Sequence, residues 1–422
     1  MGSFKFIHAA DLHLDSPFKG ISEIDPAIQQ ELAEATFKSF DKIIELCIEE
    51  KVDFLLIAGD VYDSQDKSLR AQLRFIDGLE RLSDRGIHTY LVHGNHDPSS
   101  GWASSLKIPD LVHVFTGKKV HKDIFQRDGE NLAKIYGYSY SRRDIMESVI
   151  PEFEEKVIES PQYTIGLLHC CLGTATGHEP YAPCLIGDLT KLPINYWALG
   201  HVHNKQVINE NPAIVYPGNI QGRHIRENGE KGVFLIEVDD SHNTTIHFQS
   251  TENIIWDTRE ISIDKCKTFQ ELRKEINTFI TELRSKSDGK PAICRIYLTG
   301  RGSLNKDLMK QSNVDDLVTD IRECEKTESP FVWIEDIKIQ TSSPIDREKL
   351  KESEDFIGQL VRMYDTLYEN DAERQEIIDA VQLLFESPRG KKHLPMPTGE
   401  ELLELIKKAE YLTYDKLLGE KK

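Results

Sequence analysis

Five short apolar runs in this chain each end in residues that bind hard metals, and a fold that uses them must bring five strand ends together. The runs close on Asp11-Leu12-His13, on Gly59-Asp60-Val61-Tyr62-Asp63, on Gly94-Asn95-His96-Asp97, on His169, and on Gly200-His201-Val202-His203. Apolar runs of this length are strand-sized. In open α/β sheets, ligands bind beyond the carboxyl ends of the strands. A lone Asp-x-His arises about once by accident in a chain this long, whereas Gly-Asn-His-Asp is expected roughly 0.003 times. Alone, His13 or His169 would read as a partly buried histidine, and Asp60 or Asn95 as a turn residue. Together they would need five coincidences, each at a strand end.

The first two-thirds of the chain alternate strand and helix patterns, which implies α/β layering. Lys5 to Ala10, Asp53 to Ala58, His88 to Val92, Tyr163 to Leu168 and Tyr196 to Leu199 read as the motif-bearing strands. Asp25-Pro26 opens a helix with a cap and proline at its first position, and Phe40, Ile43, Ile44, Cys47 and Ile48 share one face. A second helix is expected to carry Leu69, Leu73, Ile76 and Leu79 inward and to stop near Gly86. Gly232 to Val238 and Thr244 to Gln249 form a closing hairpin. These elements predict a first domain over residues 1–255. A small α+β unit of three strands and two helices follows over 256–345, and a charged helical segment over 346–422. In that segment Leu360, Tyr364 and Leu367 form one stripe. After a break at Pro388 to Pro397, Leu402, Leu403, Ile406, Ala409 and Leu412 form another.

The motifs supply two sites of mixed oxygen and imidazole ligands. Two divalent ions about 3.5–4 Å apart need a shared ligand, and a carboxylate screens their repulsion best. Asp60 is assigned that bridge. The first ion would take Asp11, His13, Asp60 and His203, and the second Asp60, Asn95, His169 and His201. Two carboxylates against four positive charges leave a surplus that attracts phosphate and acidifies a shared water. The donors suit manganese or iron, with magnesium also compatible. His96, one residue past a ligand, is placed to protonate or stabilise a leaving oxygen. Asp63 would orient its imidazole and help to keep it protonated, and Asp97 would brace the loop. Arg223, His224 and Arg226 follow Tyr216-Pro217-Gly218-Asn219 and are candidates for touching phosphate, against the plainer reading of a solvated loop.

With 422 residues, 39% apolar and 29% charged, the chain has the make-up of a globular protein with two or three domains. Its net charge of −19 argues against tight autonomous binding to a polyanion, so a nucleic-acid substrate would need a local basic groove, bridging metals or a basic partner. The seven scattered cysteines form no C-x-x-C pair, which predicts reduced thiols and argues against a zinc ribbon. Cys170 and Cys171 follow His169 directly but read as small buried residues. No apolar stretch is long enough to span a membrane, and the basic-then-apolar layout of a signal peptide is missing. A cytoplasmic protein is expected.

At these residues the chain resembles the calcineurin-like metallophosphoesterase superfamily. Within it the chain is similar to SbcD-type DNA repair exonucleases. The opening His8 through Phe18 resembles the YhaO-type bacterial branch in particular. Tyr216-Pro217-Gly218-Asn219 and Glu227 through Gly232 resemble the segment that follows the last histidines in SbcD-like proteins. Ser64 stands after Asp63 where protein Ser/Thr phosphatases have Arg-Gly, which argues against that branch. The resemblance implies a two-sheet α+β sandwich flanked by helices, with 256–345 as a DNA-facing cap. It implies a manganese-dependent nuclease that pairs with an SbcC-like SMC-type ATPase through the C-terminal helices, and a homodimer. Two other readings stay open: a phosphatase or phosphodiesterase acting on a small nucleotide-like substrate, and a non-enzymatic scaffold for an ATPase.

Overall fold

The computed structural model describes residues 2–21, 25–63, 68–96, 106–117, 119–140, 147–173, 182–386, 396–397 and 399–418. The chain divides into two compact units: residues 1–260, 275–297 and 315–338, and residues 261–274, 298–314 and 339–422. The segment expected as one middle domain, 256–345, contributes to both. No helix among the described residues is long and apolar enough to cross a membrane.

The chain begins with β1 (Phe4–Ala9), α1 (Pro26–Glu49), β2 (Phe54–Ala58), α2 (Leu69–Ser83), β3 (His88–Val92) and β4 (Val112–Val114). Next come β5 (His121–Arg127), β6 (Glu130–Tyr138), α3 (Ile150–Lys156), β7 (Tyr163–His169), α4 (Ile186–Thr190), β8 (Tyr196–Gly200), β9 (Gln206–Glu210) and β10 (Ala213–Tyr216). The hairpin β11 (Gly232–Val238) and β12 (Thr244–Ser250) follows them. Among the described residues these strands form two sheets, ordered β12-β11-β1-β2-β3-β4 and β5-β6-β7-β8-β10-β9. β1, β2, β3 and β4 run parallel, as do β6, β7, β8 and β10. Every motif-bearing strand therefore points its carboxyl end the same way within its sheet.

The two sheets stack through one apolar core. Phe6, Phe54, Leu56 and Tyr90 of the first sheet pack with Tyr163, Ile165, Leu167 and Tyr196 of the second. The outward residues are buried as well. Ile7, Leu55, Ile57 and Leu91 lie under Phe37, Phe40, Phe75 and Leu79 of the first helices. Trp197 and Leu168 lie under Phe153 and Leu189. Burial on both faces is why these strands read as unbroken apolar runs. Each large side chain so buried contributes about 1.5–3 kcal/mol, which makes this sandwich a stiff mount for whatever its strand ends carry.

Local signals explain the helix starts. The Asp25 carboxylate accepts from the Ala27 amide with Pro26 behind it, and the Ser68 hydroxyl accepts from the Ala71 amide. The inward face of α2 differs from the expected one. Leu69 and Leu73 are 59% and 44% exposed, while Ala71, Phe75, Ile76, Leu79 and Leu82 are buried. The wider, aromatic stripe outcompetes the narrower leucine one for the core. Cys170, Cys171 and Cys184 are buried free thiols, as read, with Cys170 and Cys184 packed in the core beside the second sheet.

A third sheet, ordered β13-β14-β15, is built from β13 (Ile255–Ser262), α5 (Phe269–Lys286), β14 (Ala292–Thr299), α6 (Asn305–Leu308), α7 (Gln311–Glu325) and β15 (Val332–Ile339). Within the first unit, Trp256, Ile293, Phe331 and Trp333 pack against Ile28, Leu32 and Ala35 of α1. Phe18 stacks on Trp256 at 6.0 Å. The loop that follows the first motif is thereby tied to the third sheet.

The helical segment comprises α8 (Arg347–Lys351), α9 (Phe356–Glu369), α10 (Asp371–Glu386) and α11 (Gly399–Leu418). Tyr364 and Leu367 meet Leu402 and Ile406, as their stripes require. The stripe of α11 then departs from expectation, because Ala409 and Leu412 face outward and Glu410 and Tyr414 are buried. Glu410 accepts from the Tyr368 and Tyr414 hydroxyls, each at 2.6 Å, and from Arg347 at 2.8 Å. Fully partnered, a carboxylate can take a core position that composition alone would give to leucine. The break expected at 388–397 lies, except for its last two residues, outside the described residues, as does Asp97.

Candidate metal centre

The loops leaving β1 and β2 run side by side, with the Asp11 amide donating to the Gly59 carbonyl at 3.1 Å, His13 to Asp60 at 3.1 Å and Leu14 to Val61 at 2.9 Å. This ladder holds an unusual backbone. Asp11 (φ 50°), His13 (φ 44°), Asp60 (φ 50°) and His201 (φ 103°) all lie in the left-handed region. Non-glycine residues there cost about 1–3 kcal/mol each and persist only where the surroundings over-determine them. Here the strain turns side chains inward that an ordinary strand exit would send to solvent.

Two glycines of the motifs provide the closeness. A Cβ on Gly94 would lie 2.2 Å from the Asp60 carboxylate, and one on Gly200 would lie 1.9 Å from the Ala58 carbonyl oxygen. Neither strand end could approach β2 with any side chain at these positions.

Five of the seven predicted ligands form two triplets of donor atoms, and Asn95 and His201 lie against His169. Donor atoms of Asp11, His13 and His203 lie within 4.8 Å of one another, and so do those of Asp11, Asp60 and His169. His13 Nε2 faces His203 Nε2 at 3.3 Å. His169 Nε2 lies 3.4 Å from the Asp60 carboxylate and 2.9 Å from Asn95 Oδ1. The His201 ring packs edge-on to His169 at 5.3 Å, and its backbone amide donates to Asp11. The expected bridge was Asp60; in this arrangement Asp11 is common to both triplets, and Asp60 belongs to one. Buried carboxylates and imidazoles in facing pairs form a donor set for hard or borderline divalent ions, and these residues fit two of them.

The protonation pattern differs across the site. Burial together with the Arg223 charge depresses His13 to about 3, so it is neutral and able to coordinate. Burial alone would lower His169 too, but the Asp60 and Asp11 carboxylates override it and hold the imidazole at about 9. Burial would raise Asp60, yet His169 keeps it well below the usual carboxylate range. Asp11 is raised by burial.

His96 sits at the mouth, 31% exposed, with Nδ1 donating to the Asp63 carbonyl at 3.1 Å and its amide donating to Asp60 at 2.9 Å. Nε2 is thus the nitrogen left to face a substrate. The Asp63 carboxylate is 3.4 Å from His96 Nδ1 and 3.3 Å from His13 Nδ1, so it stands beside both imidazoles.

The three remaining candidates separate. Arg223 is buried rather than in a solvated loop, donating to Ser16 at 2.9 Å and to Glu227 at 3.3 Å. His224 is partly exposed and lines the same cavity as Arg223. This cavity, about 200 Å³, also touches His13, Lys19, Asp63, His96 and His203. Arg226 is exposed and is not among those lining residues. Sequence reasoning missed Glu227, whose carboxylate accepts from His203 Nδ1 at 2.6 Å. Its sequence signals are the i,i+4 spacing from Arg223 and its place at the head of the Glu227 through Gly232 segment that carries the resemblance, and neither pointed to a role beside His203.

Known proteins resemble this chain along most of its length. The calcineurin-like phosphoesterase family matches residues 4–205, and the middle domain of metallophosphoesterase YhaO matches residues 256–342. The chain is 34% identical to the uncharacterized metallophosphoesterase YhaO of Bacillus subtilis (strain 168), over 96% of each chain. It is 26% identical to the DNA double-strand break repair protein Mre11 of Sulfurisphaera tokodaii, over 74% of this chain and 77% of that one. It is 25% identical to the protein so described from Methanocaldococcus jannaschii, over 68% and 75%.

Proposed function

Starting from a chain that belongs to the calcineurin-like metallophosphoesterases, hydrolases of phosphoester bonds, we propose a two-metal DNA nuclease, an exonuclease or endonuclease subunit in DNA repair. The observation that carries the hydrolytic reading is the pair of ligand triplets converging beside the outward-facing imidazole of His96. Two divalent ions, manganese by preference, would supply charge stabilisation for the phosphoryl group and an activated water when held by Asp11, His13, Asp60, Asn95, His169, His201 and His203.

The chain's own residues do the rest. The carboxylates of Asp11 and Asp60 fix the donors in place. His96, held through Nδ1, presents Nε2 to the leaving oxygen and gives it a proton. His224 and Lys19 line the cavity where a phosphate backbone would lie. DNA as substrate is supported by the third sheet's tie to the rim through Phe18 and Trp256, and by relatives described as DNA double-strand break repair proteins. The helices of 346–422 are proposed as the docking element for an SbcC-like SMC-type ATPase, and the chain as a homodimer in the cytoplasm. The net charge of −19 favours the second reading, a phosphatase or phosphodiesterase of a small nucleotide.

One assay separates the two. Purified protein with manganese is given labelled duplex, hairpin and single-stranded DNA beside a panel of nucleotides. DNA cleavage is expected, and cleavage of nucleotides alone would reverse the ranking. His96→Ala should lower phosphodiester turnover by about 10²–10⁴-fold with metals still bound. Unchanged turnover would remove His96 from the chemistry. A truncation at residue 345 that still binds the ATPase would sink the docking role.

A further inference from the structure

Arg223 closes a ring of buried and half-buried side chains behind one half of the candidate metal centre. On one side, His203 Nδ1 donates to Glu227 Oε1 at 2.6 Å, which leaves Nε2 aimed at His13. On the other, Asp63 Oδ1 lies 3.3 Å from His13 Nδ1. Between the two carboxylates is the guanidinium, with Nη2 3.3 Å from Glu227 and Nη1 3.5 Å from Asp63. Ser16 ties the ring together, accepting from Arg223 Nη1 at 2.9 Å and donating to the second Asp63 oxygen at 2.9 Å. The Arg223 amide donates to the remaining Glu227 oxygen at 2.8 Å. Arg223 and Glu227 are 7% and 3% exposed, so water screens the contact between them little, while Asp63 and His203 reach the cavity at the rim.

We propose that Arg223 and Glu227 are positioning residues for the Asp11, His13 and His203 position alone, and set its metal affinity without acting on the Asp60 and His169 position. The inference rests on the two-metal reading above. A carboxylate that takes the far N–H of a ligating imidazole fixes its tautomer and ring angle and raises its basicity. Glu227 is such a carboxylate for His203, and the Asp63 carboxylate stands 3.3 Å from His13 Nδ1; the two negative charges so close together repel each other. A planar guanidinium between them offsets that repulsion and sets their separation, which a lysine's point charge cannot do. This commitment also argues against Arg223 as a phosphate ligand, because its Nη groups are already directed at Glu227, Ser16 and Asp63. The other position is held by different atoms. His169 Nδ1 donates to the Ala58 carbonyl at 2.9 Å, and Asp60 accepts from the His96 amide.

The test is a calorimetric titration of chelator-stripped full-length protein with manganese chloride. Wild type should take up two ions per chain. Glu227→Ala and Arg223→Ala should weaken one position by about 10–100-fold and leave the other within about twofold. Glu227→Gln, whose amide oxygen still accepts the His203 hydrogen, should recover most of the loss. Arg223→Lys should remain about tenfold weak. Should the alanine variants fail to fold, as judged by circular dichroism, the Gln and Lys pair decides alone. Equal weakening of both positions, or of neither, overturns the inference while leaving the two-metal reading intact. Wild type binding fewer than two ions overturns the reading beneath it.

Discussion

Around His13 and His203 the outer partners are side chains, Asp63 and Glu227 linked by Arg223. Around Asp60 and His169 they are main-chain atoms: the Ala58 carbonyl, the His96 amide, and the glycines that let β3 and β8 close on β2. The two halves share Asp11, yet one is adjustable by exchanging a single side chain and the other is fixed by the course of three strands. A site built in this way can keep one ion as a permanent part of the fold's end and tune the other.

The sharpest way to break this contrast is to remove the carboxylate of the main-chain-held half. Asp60→Ala deletes the His169 partner and a donor to the ions. Because metal stabilisation of a phosphoryl transition state is worth several kcal/mol, turnover of a model phosphodiester with manganese should fall by at least about 10³-fold. Retention of more than a tenth of the activity would mean that the Asp11, His13 and His203 half works alone.

A stability effect comes next. Gly200→Ala forces a Cβ to 1.9 Å from the Ala58 carbonyl oxygen, and backbone cannot rotate away as a side chain would. Overpacking of this kind costs about 1–3 kcal/mol or more, readable as a lower urea midpoint. Gly187 in α4 is the control, since an added Cβ there meets nothing within 4 Å. Gly187→Ala should leave the midpoint unchanged or raise it. If both variants melt alike, the glycines of the motifs are not spacing the strand ends.

This difference in means also decides what could be read from the sequence. The main-chain-held half was legible because its requirements are written locally. Apolar runs of strand length mark the strands and each closes on its ligand motif, whereas the crowding that calls for Gly94 and Gly200 shows only in the fold. The side-chain-held half was only half legible. His13, His203 and Asp63 stand in motifs, but Glu227 is 24 residues beyond His203 and becomes its partner only when a short helical turn folds back over the site. Arg223 was seen, yet its burial was not, because burial of that charge depends on Asp63, brought from another loop, as well as on the nearby Glu227. The same physics hid Glu410 in α11, where Tyr368, Tyr414 and Arg347 make a buried acid acceptable. Apolar periodicity finds faces, whereas partnered charges override it without a trace in the local pattern.

The finest discrimination between the halves is by protons. His13 is depressed to about 3 and is already neutral across the usable range, so it gives up nothing when an ion arrives. His169, held at about 9 against its burial by the Asp60 and Asp11 carboxylates, is protonated at pH 7. Its Nδ1 hydrogen is committed to the Ala58 carbonyl, so the proton that must leave is the one on Nε2, where an ion would bind. Raising the pH toward 9 removes that proton in advance. Affinity at the Asp60 and His169 position should therefore rise about tenfold per pH unit between pH 6 and 8, with about one proton released per ion. His13 adds no such slope to the other position. Asp11, raised by burial, is common to both and can give up a proton only once, with whichever ion binds first. Titrations in two buffers of different ionisation enthalpy give the proton count directly. No proton release on filling the Asp60 and His169 position would show that this pair does not hold a proton, and the distinction between the halves would then rest on geometry alone.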